Sequence, residues 1–98
     1  MTIYDHFEDV CIFCELIEGE TITQIARTHN LTRQAISARL RKSEEQLNIK
    51  FFYRDNNHLI PTDVALQIYP DAKVCRERLS NIISIIHAQE DKNNLASA

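Results

Sequence analysis

Residues 32–47, Thr32-Arg-Gln-Ala-Ile-Ser-Ala-Arg-Leu-Arg-Lys-Ser-Glu-Glu-Gln-Leu47, decide how the chain is read. The Thr32 hydroxyl can accept a bond from a backbone N–H two or three residues on, which caps a helix. Ala35, Ile36, Leu40 and Leu47 then recur at helical spacing, with Arg33, Gln34, Ser37, Arg39, Arg41 and Lys42 on the remaining faces. Such a helix buries one stripe and offers guanidinium, amide and hydroxyl groups elsewhere. Arg and Gln suit base edges in a DNA groove, and Ser and Lys suit phosphates. An ordinary amphipathic helix with a solvated basic face has the same pattern, so the flanking segments must decide.

Upstream, residues 2–18 read as a first helix with Phe7, Val10, Cys11, Cys14 and Ile17 or Leu16 on one apolar face and its acids pointing elsewhere. Gly19 falls where a left-handed helix stop belongs. Thr21-Ile22-Thr23-Gln24 matches a capping box, Thr followed three residues later by Gln. A short helix to about His29 should bury Ile22, Ile25 and Ala26, and Asn30 can replace glycine as its terminator. Two helices joined by a tight turn, the second basic, make a helix-turn-helix.

Downstream, Asn48 ends the basic helix and Ile49 packs behind it. Lys50–Arg54 and His58–Thr62 read as two short strands around the turn-forming Asp55-Asn56-Asn57. This predicts a β-hairpin wing with Arg54, Asn56 and Asn57 near its tip. Thr62 and Asp63 cap a last helix to about Glu90, about 40 Å long if unbroken. Pro70 must lose a backbone bond, which predicts a kink or restart. Beyond Gln89 the polar tail should fray. The expected fold is mainly α. A winged helix-turn-helix domain spans 1–61, a linker or dimerisation helix 62–90 and a flexible tail 91–98.

Along that last helix Ala65, Ile68, Ala72, Cys75, Leu79, Ile82 and Ile86 follow a heptad-like rhythm, widened by Ile83 and Ile85. Left in water they would form a large apolar patch. A second copy is the expected cover, with Ile68, Ala72, Cys75, Leu79, Ile82, Ile83 and Ile86 at the dimer contact. The competing arrangement folds the seam back on the first helix of the same chain.

Composition narrows the classes further. The chain has 98 residues, 44% apolar and 26% charged, with one glycine and two prolines, as one small helix-rich domain would have. Its apolar clusters are far shorter than the ~20 residues of a membrane span. Its first ten residues carry acid where a signal peptide carries base. Three cysteines without a secretory address point to a reducing cytoplasm. The net charge of −3 opposes nucleic acid, but its distribution does not. Residues 1–20 carry Asp5, Glu8, Asp9, Glu15, Glu18 and Glu20 and no Lys or Arg. Residues 21–54 carry Arg27, Arg33, Arg39, Arg41, Lys42, Lys50 and Arg54 against Glu44 and Glu45. The local patch governs contact with phosphates.

The order of these parts resembles a known family. Glu18-Gly19-x-Thr21, a short helix, Thr32-Arg33-Gln34-Ala35-Ile36-Ser37, Leu47-Asn48-Ile49-Lys50-Phe51-Phe52-x-Arg54 and Pro61-Thr62 are similar to the DNA-binding domain of LysR-type transcriptional regulators. The similarity covers about residues 4–90. It implies a winged helix-turn-helix, a linker helix that pairs two subunits and tolerates an early proline, and a wing arginine at Arg54. Four positions depart from the family pattern. Arg33-Gln34 stands where Gln-Pro is usual, so the target sequence does not carry over; Ser43 replaces a core leucine and Asn48 a glycine. The family also carries a ligand-sensing domain after the linker. The sequence ending at Ala98 is therefore read either as a stand-alone relative without a sensor or as an excised piece, the former favoured by its tail.

The expected function is thus a homodimeric, sequence-specific regulator on inverted-repeat double-stranded DNA, a repressor acting without a small-molecule sensor, in the cytoplasm at the nucleoid. Arg33 and Gln34 would read bases. Thr32, Ser37, Arg39, Arg41 and Lys42 would meet phosphates or flanking groups, and Arg54 with Asn56 and Asn57 would serve the wing. Two alternatives compete: a thiol- or metal-responsive regulator using Cys11-x-x-Cys14 near His6, and a protein–protein module that heterodimerises with a related regulator. On a helix the cysteine pair shares a face with Phe7 and Val10, so buried small hydrophobes explain it better. No metal-ligand set, cofactor motif or catalytic constellation is legible, and His6, His29, His58 and His87 are scattered.

Overall fold

The computed structural model describes residues 2–55 and 58–97. Asn56 and Asn57, expected at the wing tip, lie outside the described residues. The order is α1 (Ile3–Ile17), α2 (Ile22–His29), α3 (Arg33–Leu47), β1 (Phe52–Asp55), β2 (His58–Pro61) and α4 (Asp63–Ser97). The class is mainly α, a winged helix-turn-helix followed by one long helix.

Local chemistry sets the boundaries. Thr21 and Gln24 form the reciprocal capping box, with Thr21 N–H donating to Gln24 Oε1 at 2.8 Å and Gln24 N–H to Thr21 Oγ1 at 3.1 Å. Thr2 and Asp5 build the same device on α1. Thr32 Oγ1 accepts the Ala35 N–H at 3.0 Å and starts α3. Asn30 (φ 56°) and Asn48 (φ 54°) both take the left-handed conformation that ends α2 and α3. The hairpin is antiparallel, Phe52 opposite Pro61 and Asp55 opposite His58. It is shorter than the sequence suggests: the Phe51 N–H goes to Glu44 Oε2 at 2.7 Å rather than to a ladder, and Thr62 caps α4 through the Ala65 N–H.

Ile12, Phe13, Cys14, Leu16, Ile25, Ala26, Ile36, Phe51, Phe52 and Ala65 form the core. Phe13 meets Phe51 edge to face, ring centroids 5.1 Å apart. The expected α1 face is only partly right. Phe7, Val10, Cys11 and Ile17 are half-buried while Ile12, Phe13 and Leu16 are buried. The reason is that α1 is the central helix, covered by α2 and α3 on one side and α4 on the other, so a single stripe cannot describe it. Leu47 also departs from expectation at 59% exposed. It borders an apolar groove of roughly 200 Å³ with Phe13, Leu40, Ser43, Phe51 and Ile68, where Ser43 supplies little bulk.

Helix α4 runs antiparallel to α1. Tyr69 and Arg76 reach Glu18 at the C-terminal end of α1, and the His87 ring stacks at 6.2 Å on Tyr4 at its N-terminal end. The fold-back arrangement is therefore present, and it divides the apolar seam. Ile68, Ala72, Leu79, Ile83 and Ile86 are half-buried, whereas Cys75, Ile82 and Ile85 are exposed together with Val74. Pro70 lies inside the helix without a restart, and the helix spans Asp63–Ser97, past the expected end near Glu90. At 1.5 Å per residue, α4 accounts for the 55 Å long axis of the molecule. No helix among the described residues is long and apolar enough to cross a membrane.

Candidate nucleic-acid interface

Buried Ile36 anchors α3 in the core and so dictates which side chains face out. Arg33, Ser37 and Arg41 follow one another at i, i+4 and i+8, with Gln34 beside the first of them. Arg33, Gln34 and Arg41 are exposed and Ser37 is half-buried. The Thr32 oxygen is engaged in its cap, which leaves the hydroxyl proton free to donate. Arg33 and the wing's Arg54 line one cleft of roughly 390 Å³, together with Thr21, Thr23 and His58. The sequence reading missed Thr21 and Thr23 here. Both stand at the start of α2, the positive end of its dipole.

Two of the expected cations lie on a different side. Arg39 and Lys42 share a shallow cleft with Asp5 and Asp9, away from Arg33. Arg39 Nε donates to Asp9 Oδ1 at 2.8 Å, Nη2 to the Asp5 carbonyl at 2.9 Å, and Nη1 to Glu8 Oε1. Desolvation alone would weaken the Arg39 charge, but the bonds to Asp9 and Glu8 outweigh it and the guanidinium is held more firmly protonated than usual. Three of the five Arg39 N–H donors are thus engaged within the chain, which competes with the expected phosphate contact. Glu8 and Glu15 also flank His29, whose Nδ1 lies 3.2 Å and Nε2 2.9 Å from their oxygens. The acids of α1 are thus fasteners for α2 and α3 rather than a solvated face.

The three cysteines are free thiols. Cys14 is buried, Cys11 half-buried and Cys75 exposed. Desolvation, with Glu15 nearby, pushes the Cys11 thiol up to about 11, and burial likewise raises Cys14. Among the described residues no group of three or more His, Cys, Asp or Glu is arranged to hold a metal ion.

An outward basic helix beside a hairpin wing defines the class: a winged helix-turn-helix. The family model "bacterial regulatory helix-turn-helix protein, lysR family" matches residues 7–66, and the chain belongs to that family. Solved structures share the fold. The Corynebacterium glutamicum OxyR C206 mutant superposes with a TM-score of 0.74 at 19% identity, covering 86% of this chain and 26% of that one. The Vibrio cholerae virulence activator AphB gives 0.70 at 23% identity, covering 80% and 27%. The BenM DNA-binding domain, in complex with benA site 1 DNA, gives 0.70 at 17% identity, covering 90% and 98%. The chain thus spans about a quarter of the length of the OxyR structure. No curated protein sequence matches it.

Proposed function

We propose that this DNA-binding regulator reads a specific inverted-repeat sequence as a homodimer. The observation that carries the reading is the row of Arg33, Gln34, Ser37 and Arg41 on the outer side of α3, beside Arg54. Arg33 takes a guanine bidentately and Gln34 an adenine, each pair worth ~1–3 kcal/mol of discrimination. Thr32, Ser37 and Arg41 meet phosphates, and Thr21 and Thr23 extend that contact at the start of α2. Lys42 makes at most a flanking contact, and Arg54 enters the adjacent minor groove. The second subunit is supported by the exposed Cys75, Ile82 and Ile85 on α4, a stripe the chain itself leaves uncovered. Two-fold symmetry then sets half-sites about one helical turn, or multiples of it, apart. A dimer seated there occludes the DNA beneath it, so repression at the nucleoid in the cytoplasm is the regulatory sense proposed.

The test is selection of bound duplexes from random DNA, followed by sedimentation of the complex. An inverted repeat bound by two chains is the expected result. Enrichment of no sequence, or salt-dependent binding equal on all duplexes, overturns the specific reading. A single chain per duplex overturns the dimer.

A further inference from the structure

Arg76 places Nη2 2.7 Å from Glu18 Oε2 and Nη1 3.0 Å from Oε1, and the Tyr69 hydroxyl donates to the same carboxylate at 2.5 Å. Glu18 is the C-cap residue of α1, and Tyr69 and Arg76 lie seven residues apart on one side of α4. One carboxylate therefore grips the long helix at two points about two turns apart. On the far side of this point α4 carries the half-buried apolar Leu79, Ile83 and Ile86, and it meets α1 in the Tyr4–His87 stack. Apolar contact of that kind is non-directional and tolerates sliding and rotation. A forked Arg–carboxylate pair is directional and does not.

We propose that Glu18, with Tyr69 and Arg76, is a positioning latch that fixes the angle of α4 to the helix-turn-helix and thereby sets the half-site spacing the dimer accepts. The inference rests on the two-subunit reading above. From Arg76 to Ser97 the helix reaches about 32 Å at 1.5 Å per residue. A turn of about 10° at the latch moves its far end by about 6 Å, more than the ~3.4 Å between base pairs. None of the three side chains belongs to the outward face of α3, so base preference and spacing preference are set by separate residues. The pairing with Arg76 keeps the Glu18 carboxyl below its ordinary range, and the latch stays charged at neutral pH.

The test uses the full chain, Glu18→Ala, and the exchanged pair Glu18→Arg with Arg76→Glu. Duplexes carry the selected half-sites at graded spacings. Wild type should lose at least tenfold in affinity when one base pair is added or removed. Glu18→Ala should flatten that loss below threefold while binding a single half-site within twofold of wild type, and the exchanged pair should restore the peak. A merely structural role would lower binding at every spacing alike, and that result overturns the proposal. Spin labels at Thr28→Cys and Gln89→Cys in a Cys75→Ser background, diluted with unlabelled chain, read the angle directly. The distance distribution should broaden in Glu18→Ala; an unchanged distribution overturns the latch. A broadened distribution with an unchanged spacing profile in a sedimenting dimer overturns its role in spacing. Absence of any dimer on the duplexes overturns the two-subunit reading and the spacing claim with it.

Discussion

Arg39 Nε lies 2.8 Å from Asp9 Oδ1, so a cation of the recognition helix is turned inward on the acidic first helix. With Glu8 and His29 it forms one network across α1, α2 and α3. Arg39→Ala leaves half-buried Asp9 without its partner and Glu8 with His29 alone, and is expected to cost ~1–3 kcal/mol of stability. The slope of DNA affinity against salt should not change. Urea denaturation and a salt titration on the selected duplex check both, and a shallower slope would return Arg39 to the DNA.

Arg33 and Arg41 should separate in the opposite sense. Arg33→Ala is expected to relax preference at one base pair by ~1–3 kcal/mol while affinity for random DNA changes little. Arg41→Ala should weaken cognate and random duplexes alike and reduce the salt slope by about 1. Competition binding against single-base variants measures the difference. Equal losses on cognate and random DNA for Arg33→Ala would remove it from base readout.

Glu18 gives the fold an acid-side signature. Its carboxyl sits below its ordinary 4.5, foremost because Arg76 hydrogen-bonds the ionised form and with help from Tyr69, against a smaller desolvation effect. A lowered folded value favours the charged native state. Its stabilisation is therefore complete above about pH 4.5 and is lost as pH falls through the depressed value. Unfolding midpoints of wild type should drop across that window, and those of Glu18→Gln should drop less. Parallel curves would show that the latch contributes nothing to stability.

The cysteines make a prediction against a redox switch. Cys11 and Cys14 stay protonated and shielded at neutral pH, so Cys75 should react first with iodoacetamide. Because the Cys11 value is raised, its contribution is intact below 9.0 and stability falls as pH climbs toward 11. Mass spectrometry of partly alkylated protein identifies the order. Prior modification of Cys11 at neutral pH would revive the thiol reading.

How much of this was legible depended on range. Thr21 with Gln24, Thr32 with Ala35, Asn30, Asn48 and Thr62 all act on backbone within a few residues, and each boundary they imply is found. The outward set on α3 follows from buried Ile36 in the same way. By contrast, Arg39 pairs with residues thirty positions upstream, Glu18 with one fifty-eight positions on, and neither partnership leaves a trace in spacing. The two-sided burial of α1 and the exposure of Leu47 have the same origin in distant packing.

The sequence on its own thus determined the order of the elements, the caps and stops of α2 and α3, and the family, because capping, left-handed stops and apolar periodicity are local properties of the chain. Only the tertiary structure decided which cations face outward, that α4 lies along α1, and where one carboxylate grips it. Charge pairing and helix docking are settled by which surfaces meet, and that is decided once the whole chain has folded.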